Sequence, residues 1–281
     1  MKLAVDFNDA LIKMGIERSM NMIKEAGFDA VSFNIKSCHL DDDYKKVAAE
    51  IKASMDKLGL VCVQTRAPHP LPYRDEIDFS DAVYCENLRA FEFTELLGAK
   101  YCVIHAATVT DGPMSAQFPI YNCACYEFFK EEAQRCGVQI GIGYVEASNI
   151  YSQEYINKLM GVLASPVYYP HVDIGRATMC GAEADVFMRK LNCHPVLGVD
   201  VHDYNVQTDQ LLPFMGRTNW DRVVKALVDI DYRGDITLKI SKMHEKVEKY
   251  SVDMLPNLYS MAVTVGRELI RRIEAERKVR G

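Results

Sequence analysis

Residues 194–240, HPVLGVDVHDYNVQTDQLLPFMGRTNWDRVVKALVDIDYRGDITLKI, contain two apolar runs on either side of one amphipathic segment. The first run, PVLGVDVH (195–202), is short, rich in valine and closed by polar side chains, which is typical of a buried strand. The segment NWDRVVKALVDID (219–231) has the apolar spacing of a helix, and DITLKI (235–240) is again a strand pattern. The stretch therefore predicts a strand–helix–strand unit with parallel strands.

The same alternation extends back to the first residues of the chain. Strand patterns occur at 3–7, 30–35, 61–65, 101–106, 138–145, 167–174, 195–202 and 235–240. Helical patterns follow them, and those before positions 27, 59 and 98 end on glycine, which terminates helices because it adopts the left-handed conformation without strain. Most of the strand runs are apolar throughout, as in parallel strands that are covered on both faces.

Eight strand–helix units in 281 residues predict an α/β fold, a single (β/α)8 TIM barrel, with residues 1–281 as one domain. Neither GxGxxG nor GxxxxGKS/T follows the first strand, which argues against a nucleotide-binding open sheet. In a barrel of this kind the residues that do chemistry stand at the carboxyl ends of the strands.

Composition and charge argue against two classes of binding partner, nucleic acids and membranes. The net charge is −6 and the pI is near 5.7, so no nucleic-acid partner is expected. No run of about 18 apolar residues occurs, so no membrane partner is expected either. The start of the chain lacks a signal-peptide pattern, and its nine cysteines form no CxxC pair. We therefore expect a cytoplasmic protein with reduced cysteines.

With this architecture, the stretch 194–240 resembles the xylose isomerase-like TIM barrels. This is the family of sugar phosphate isomerases and epimerases, with tagatose and psicose 3-epimerases and inositol-catabolism isomerases among its members. Members commonly show HxHDN, a short loop, LPxGxG, a tryptophan that opens the next helix, and a final GxxTLE strand. The corresponding stretches here are DVHDYN, LPFMGR, Trp220 and GDITLK. The resemblance covers the whole chain as eight units, and its specific motifs lie in the last third.

The resemblance implies a divalent metal, Mn²⁺, Mg²⁺ or Zn²⁺, that is held by Glu, Asp, His and Glu from four strands. The aspartate matches Asp173 in HVDIGRA, and the histidine matches His202. The two glutamates fall on Gly143 in IGIGYVE and on Lys239 in ITLKI. Two of the four implied ligands are therefore present, and the other two are replaced.

Further family positions also differ. Histidines that are frequent in the family fall on Arg66, Arg176 and Asp200. The DxH pattern that gives a related multi-zinc endonuclease part of its metal cluster reads Asp209–Gln210–Leu211 here. These departures argue against an endonuclease of that kind.

Two ligands rarely hold a dication firmly, and a lysine close by would repel it. We therefore expect no cofactor, with weakly bound Mn²⁺, Mg²⁺ or Zn²⁺ as the alternative. Glu146 would supply a further ligand if an irregularity near glycines 141 and 143 shifted it by three residues.

The other interpretation is that Lys239 takes the place of the metal and pairs with Asp173. Arg66 and Arg176 flank the same end of the barrel, and a cluster of three cations suits a carboxylate or phosphate on the ligand. A structural alternative stays open: the Lys239–Asp173 pair would simply plug an inactive site, and His105 would be a satisfied strand-end histidine.

The resemblance implies a sugar, sugar-acid or cyclitol isomerase or epimerase that abstracts a proton next to a carbonyl, with altered or absent metal dependence. The candidate catalytic residues are His202, Lys239, Asp173 and Glu146. The candidate substrate-binding residues are Arg66, Arg176, His69, His105 and Asp200.

Two alternatives to this function stay open. One is a related lyase or dehydratase that uses the same enolate chemistry. The other is a catalytically inactive barrel that serves as a binding or scaffold subunit. The expected partner is a small, carbohydrate-like, anionic ligand, and a homo-oligomer or a partner subunit is compatible with the sequence.

Overall fold

The computed structural model describes the chain except residues 69, 75, 108–117, 144–152, 180–182, 192–194, 206–207 and 281. Eight parallel strands form a closed barrel in chain order, which confirms the predicted TIM barrel. The strands are β1 Leu3–Phe7, β2 Ala30–Asn34, β3 Val61–Arg66, β4 Tyr101–His105, β5 Gln139–Gly143, β6 Tyr168–Asp173, β7 Gly198–Val201 and β8 Ile236–Leu238.

Helices surround the barrel. They are α1 Asp9–Met14, α2 Ile16–Ala26, α3 Tyr44–Leu58, α4 Ala82–Leu96, α5 Phe118–Arg135, α6 Gln153–Leu163, α7 Ile174–Met179, α8 Ala184–Lys190, α9 Trp220–Asp229, α10 Ser241–Glu248 and α11 Leu255–Arg280, with 3-10 turns at Ser37–His39 and Val252–Met254. None of the helices that the structure describes is long and apolar enough to cross a membrane.

The predicted helix ends at two glycines are confirmed. Gly27 and Gly59 follow α2 and α3 in the left-handed conformation, with φ of 102° and 63°. The amide of Gly27 donates to the carbonyls of Ile23 and Lys24, which satisfies carbonyl groups that the helix end leaves open.

The last helix closes the barrel seam. β1 pairs with β8, with Val5 opposite Leu238, and α11 crosses both strands. Gly266 allows this close approach, because a Cβ there would lie 2.5 Å from Leu3 Cδ1 and 3.1 Å from Leu238 Cδ1.

The register of the strands sets which side chains meet at the carboxyl end. Asp173 at the end of β6 is opposite Asp200 on β7. Arg66 at the end of β3 is opposite Asn34 on β2, and His105 at the end of β4 is opposite Gly143 on β5. These strand ends therefore bring polar side chains from several strands to one level.

Candidate active site at the carboxyl ends of the strands

A cavity of about 240 Å³ opens at the carboxyl ends of the strands. Most of its lining comes from β1, β2, β3, β4, β8 and α10, or from residues adjacent to these elements. The lining residues are Asp6, Asn8, Asp9, Ala10, Asn34, Lys36, Arg66, His105, Gln210, Lys239, Ser241 and Glu245. The described lining thus holds three acidic and three basic side chains, and Lys36 and Asp9 pair across 2.6 Å at the rim.

Lys239 pairs with two aspartates below this cavity. Its Nζ lies 2.9 Å from Asp173 Oδ2 and 3.7 Å from Asp200 Oδ2. Burial works against the charge of Lys239, but the two aspartates outweigh it and raise the lysine pKa. Burial likewise opposes the charge of Asp173, but Lys239 and His202 hold the Asp173 pKa well below its usual range. The pair is therefore ionised at neutral pH.

His202 lies behind Asp173 and is fully buried. Its Nε2 is 2.8 Å from Asp173 Oδ1, and the backbone amide of Gln210 points at its Nδ1 from 3.3 Å. Gly175 makes room for the imidazole, because a Cβ at that position would lie 2.2 Å from His202 Cε1. His202 is absent from the cavity lining, so it is placed to position Asp173 and not to touch a ligand.

Asp200 lies at the centre of a second cluster. Its carboxylate pairs with the Arg66 guanidinium, accepts a hydrogen bond of 2.9 Å from Gln64 Nε2, and lies 3.2 Å from His171 Nε2. Burial would raise the Asp200 pKa, but Arg66 and His171 lower it far below its usual range. Arg66 Nη1 also donates to His105 Nε2 across 2.7 Å.

The remaining predicted site residues lie apart from this centre or outside the described part of the chain. Arg176 extends its guanidinium to Asp209 Oδ2 at 2.9 Å and does not line the cavity. His69 and Glu146 lie outside the described residues.

The prediction of an anionic ligand rested on a cluster of three cations, of which Lys239 and Arg66 line the cavity and Arg176 does not. Each cation has its own aspartate, namely Lys239 with Asp173, Arg66 with Asp200, and Arg176 with Asp209. Local pairing lowers the positive potential of the cluster, and the anionic ligand stays a prediction.

The described residues do not fit a family-type metal. The Lys239 ammonium occupies the approach to Asp173. A side chain on Gly143 would place its Cβ 2.7 Å from Val103 Cγ1 and 2.9 Å from His105 Nδ1, so a metal-binding side chain at this position would require these neighbours to move. Among the described residues no group of three or more His, Cys, Asp or Glu side chains is arranged to hold a metal ion.

Asp6 has an important position that the sequence did not reveal. It is only 3% exposed, yet it lines the cavity from β1. Burial raises its pKa from 3.8 to about 6, against the opposing effect of Lys239 and Arg66. The sequence marks Asp6 as a polar residue near a strand end, but only the structure shows its burial.

Gln64 and His171 were also missed. Each lies two residues before a predicted site residue on the same strand, Arg66 and Asp173 respectively. Side chains two apart on a strand share a face, so the strand period alone was a sufficient signal for both.

Asp203, from the stretch that resembles the family, organises a loop. Its carboxylate accepts hydrogen bonds from the amides of Gly216 and Thr218 at 2.9 and 3.0 Å, and from Trp220 Nε1 at 2.8 Å. The tryptophan opens α9, so this part of the motif ties the loop after β7 to the start of the next helix.

Comparisons with known proteins agree with this architecture. Residues 20–258 match the model of the xylose isomerase-like TIM barrel family. The uncharacterized protein y4fM of Sinorhizobium fredii is 22% identical, over 78% of this chain and 79% of that protein.

Two solved structures superpose on nearly the whole chain. The IolI protein with a binding zinc atom gives a TM-score of 0.74 at 13% identity, covering 97% of this chain and 98% of its own. The 3-keto-D-glucoside 4-epimerase YcjR from E. coli, in its apo form, gives 0.73 at 15% identity, covering 95% and 99%. At these identities the likeness establishes the fold.

Proposed function

The chain belongs to the xylose isomerase-like TIM barrel family, and from that premise we propose that it is a sugar or cyclitol isomerase or epimerase that abstracts a proton next to a carbonyl without a divalent metal. The observation that carries the proposal is the Lys239 ammonium. It lines the cavity and lies 2.9 Å from Asp173, the aspartate that matches a family metal ligand.

Proton abstraction next to a carbonyl creates an enediolate, whose oxyanion must be stabilised. A fixed cation in a buried site supplies that stabilisation because it is not screened by water. Lys239 and Arg66 both line the cavity, and in both cases nearby aspartates raise the pKa above its usual value. Both side chains therefore remain cationic and available to a developing negative charge.

The cavity suits an uncharged carbohydrate with a carbonyl group. Its described lining has balanced charge, and Asn8, Asn34, Gln210 and Ser241 add amide and hydroxyl groups that can hydrogen-bond to ligand hydroxyls. A 3-keto-D-glucoside, which YcjR takes as its substrate by name, belongs to this chemical class.

The test is solvent deuterium exchange. The protein is incubated in D₂O and EDTA with D-fructose, D-tagatose, a methyl 3-keto-D-glucoside and an inosose, and the proton next to the carbonyl is followed by NMR. We expect its signal to disappear for at least one compound, at a rate that EDTA does not change. Exchange with none of them, or only after Mn²⁺ or Zn²⁺ is added, would contradict the proposal.

Two lysine variants test whether the exchange depends on the Lys239 ammonium. Lys239→Gln removes the ammonium from the cavity, and we expect exchange to slow by about 100-fold or more. Lys242→Gln changes a half-exposed lysine that pairs with Glu245 and is absent from the cavity lining. Its exchange rate is expected to match that of the unmodified protein.

A binding subunit without catalysis is the second candidate function, and the ion pairs favour it. Asp173 and Asp200 already neutralise Lys239 and Arg66 without a ligand, as expected for a site whose buried charges do not need a substrate to be paired. Such a protein would show saturation-transfer signals from a bound sugar but no deuterium exchange. A dehydratase would instead give a new vinyl proton signal in the same spectra.

A further inference from the structure

We infer that Asp6 is the residue that moves the proton in this cavity, taking it from the carbon next to the carbonyl as a carboxylate and releasing it as a carboxylic acid. This inference rests on the proposed function and names the base that the proposed function requires. Asp6 lies at the carboxyl end of β1, where the strand opens into the cavity.

The first support is geometric. Asp6 is almost completely buried but lines the cavity beside Lys239 and Arg66. Its Oδ1 has no hydrogen-bond partner among the residues that the structure describes. Buried carboxylate oxygens are normally paired, because leaving one without a partner costs free energy. A carboxylate that lines a cavity and keeps one oxygen without a partner has hydrogen-bonding capacity left for a ligand.

The second support comes from the other acid–base groups of the described site. Asp173 and Asp200 are held in ion pairs that lower the pKa of both carboxyls, so neither accepts a proton readily. His202 is fully buried, with Asp173 next to one ring nitrogen and the Gln210 amide next to the other. None of the three lines the cavity.

The charged groups around Asp6 give its carboxyl a pKa that suits a group that takes up and releases a proton. Burial and Asp200 raise its pKa, while Lys239, Arg66 and a hydrogen bond to Asn34 lower it, and the result is about 6. Further groups that face it or share its cavity are Tyr259, Glu245, Asp9, Lys36 and His105. A base whose pKa lies near ambient pH can both take up and release a proton efficiently.

The proton transfer from the substrate to Asp6 is balanced in atoms and electrons. The carboxylate forms an O–H bond with the substrate proton, and the electron pair of the broken C–H bond becomes the C=C bond of an enediolate. The carbonyl π pair moves to oxygen, where Lys239 and Arg66 stabilise the negative charge. In an isomerase Asp6 returns the proton to the former carbonyl carbon, while the hydroxyl proton moves to the former carbonyl oxygen and the other oxygen becomes the new carbonyl. In an epimerase water protonates the same carbon on its opposite face, and Asp6 releases its proton to solvent.

Exchange in D₂O with the four compounds named above tests the role directly. We expect wild-type exchange to rise with pH and to level off above about pH 6, since the carboxylate is the active form. Asp6→Asn is expected to lower the rate by about 100-fold or more at every pH. Asp185→Asn is the matched control, because Asp185 is equally buried but pairs with Arg189 and Arg222 on the outer helices, and it is expected to keep both the rate and the pH profile.

Thermal unfolding supplies a second readout. The folded-state pKa of Asp6 lies above its ordinary value of 3.8, so the folded protein loses stability as the pH rises from about 4 through 6. Asp6→Asn removes that loss, and its Tm should exceed the wild-type Tm at pH 8 but not at pH 4. Asp185→Asn should lower the Tm at pH 8, because it removes a buried carboxylate that pairs with both Arg189 and Arg222.

The outcomes separate the two levels of the proposal. If the wild-type protein exchanges no probe, the proposed function fails and the role of Asp6 fails with it. If the wild type exchanges a probe and Asp6→Asn does so equally fast, only the role of Asp6 is overturned. Loss of exchange together with a lower Tm at pH 8 would also overturn it, since Asp6 would then be a structural residue.

Discussion

At the scale of single residues, Lys239 is where this site departs most from the family pattern. Its position matches a glutamate in the family, yet its ammonium contacts Asp173, which matches a metal ligand and lies 2.8 Å from His202. A glutamate at this position would bind a cation, whereas the lysine is itself a cation that is part of the chain. One substitution can therefore replace an external dication with a charge that the chain itself supplies.

This exchange is testable by reversal. We expect Lys239→Glu to gain affinity for Zn²⁺, because it removes the ammonium from Asp173 and adds a second carboxylate beside it. The measurement is zinc content by mass spectrometry after loading and exhaustive dialysis. Lys239→Gln removes the charge without adding a ligand and should retain little metal. Stoichiometric zinc in the unmodified protein would show that the ammonium does not displace the metal.

Sequence reasoning at this scale succeeded where a motif fixed the position. Asp173 and Lys239 lie in recognisable strand motifs, and their predicted ion pair is present. The function of Asp6 could not be predicted, because its pKa depends on burial and on charges from three other strands. The pairing of Arg66 with Asp200 and of Arg176 with Asp209 could not be predicted either, since the sequence does not show which aspartate lies next to each cation.

At the scale of elements, the junction between β6 and α7 shapes the site. The strand ends at Asp173 and the helix begins at Ile174, without a loop between them. The amide of Arg176 donates to Asp173 Oδ1 at 3.0 Å, and Gly175 lies flat against the His202 ring. The first turn of α7 thus fixes both Asp173 and the histidine behind it.

Two glycine substitutions test the importance of this junction. Gly175→Ala should destabilise the fold by about 1–3 kcal/mol, because the new methyl group displaces the buried His202 ring. Gly161→Ala lies in α6, with no atom within 4 Å of the new Cβ, and should stabilise the fold by about 0.5–1 kcal/mol. Urea unfolding measures both, and equal effects would mean that the contact with His202 carries no strain.

Strands and helices were predicted from different signals. The eight strands were predicted from short apolar runs that alternate regularly with helical patterns, and the long helices from periods that extend over many residues. The short helices α1 and α7 were not, since six residues give too little periodicity to separate a helix from a loop.

At the scale of the whole molecule, buried polar contacts cross the interior of the barrel. Arg66 and Gln64 on β3 meet Asp200 on β7, and Lys239 after β8 meets Asp173 on β6. Tyr101 on β4 joins by donating to Gln64. Strands that are not neighbours in the sheet are therefore linked through charge and hydrogen bonds.

These links predict how stability depends on pH. The folded-state pKa values of Asp173 and Asp200 lie below their ordinary value of 3.8, so their contribution is present above about pH 4 and is lost as the pH falls further. Asp200→Asn should unfold about 3 kcal/mol more easily at pH 7, because it leaves Arg66 buried without its carboxylate. Its stability should also fall less steeply in acid, and urea unfolding at pH 3, 4 and 7 would show both effects. A parallel acid decline in the two proteins would contradict this account.

The contact between His105 and Gly143 has a consequence for engineering a metal centre into this barrel. A glutamate at position 143 would place its Cβ 2.7 Å from Val103 Cγ1 and 2.9 Å from His105 Nδ1, and that histidine is bound to Arg66. These neighbours would have to move, so a new ligand on the fifth strand would need compensating substitutions around it.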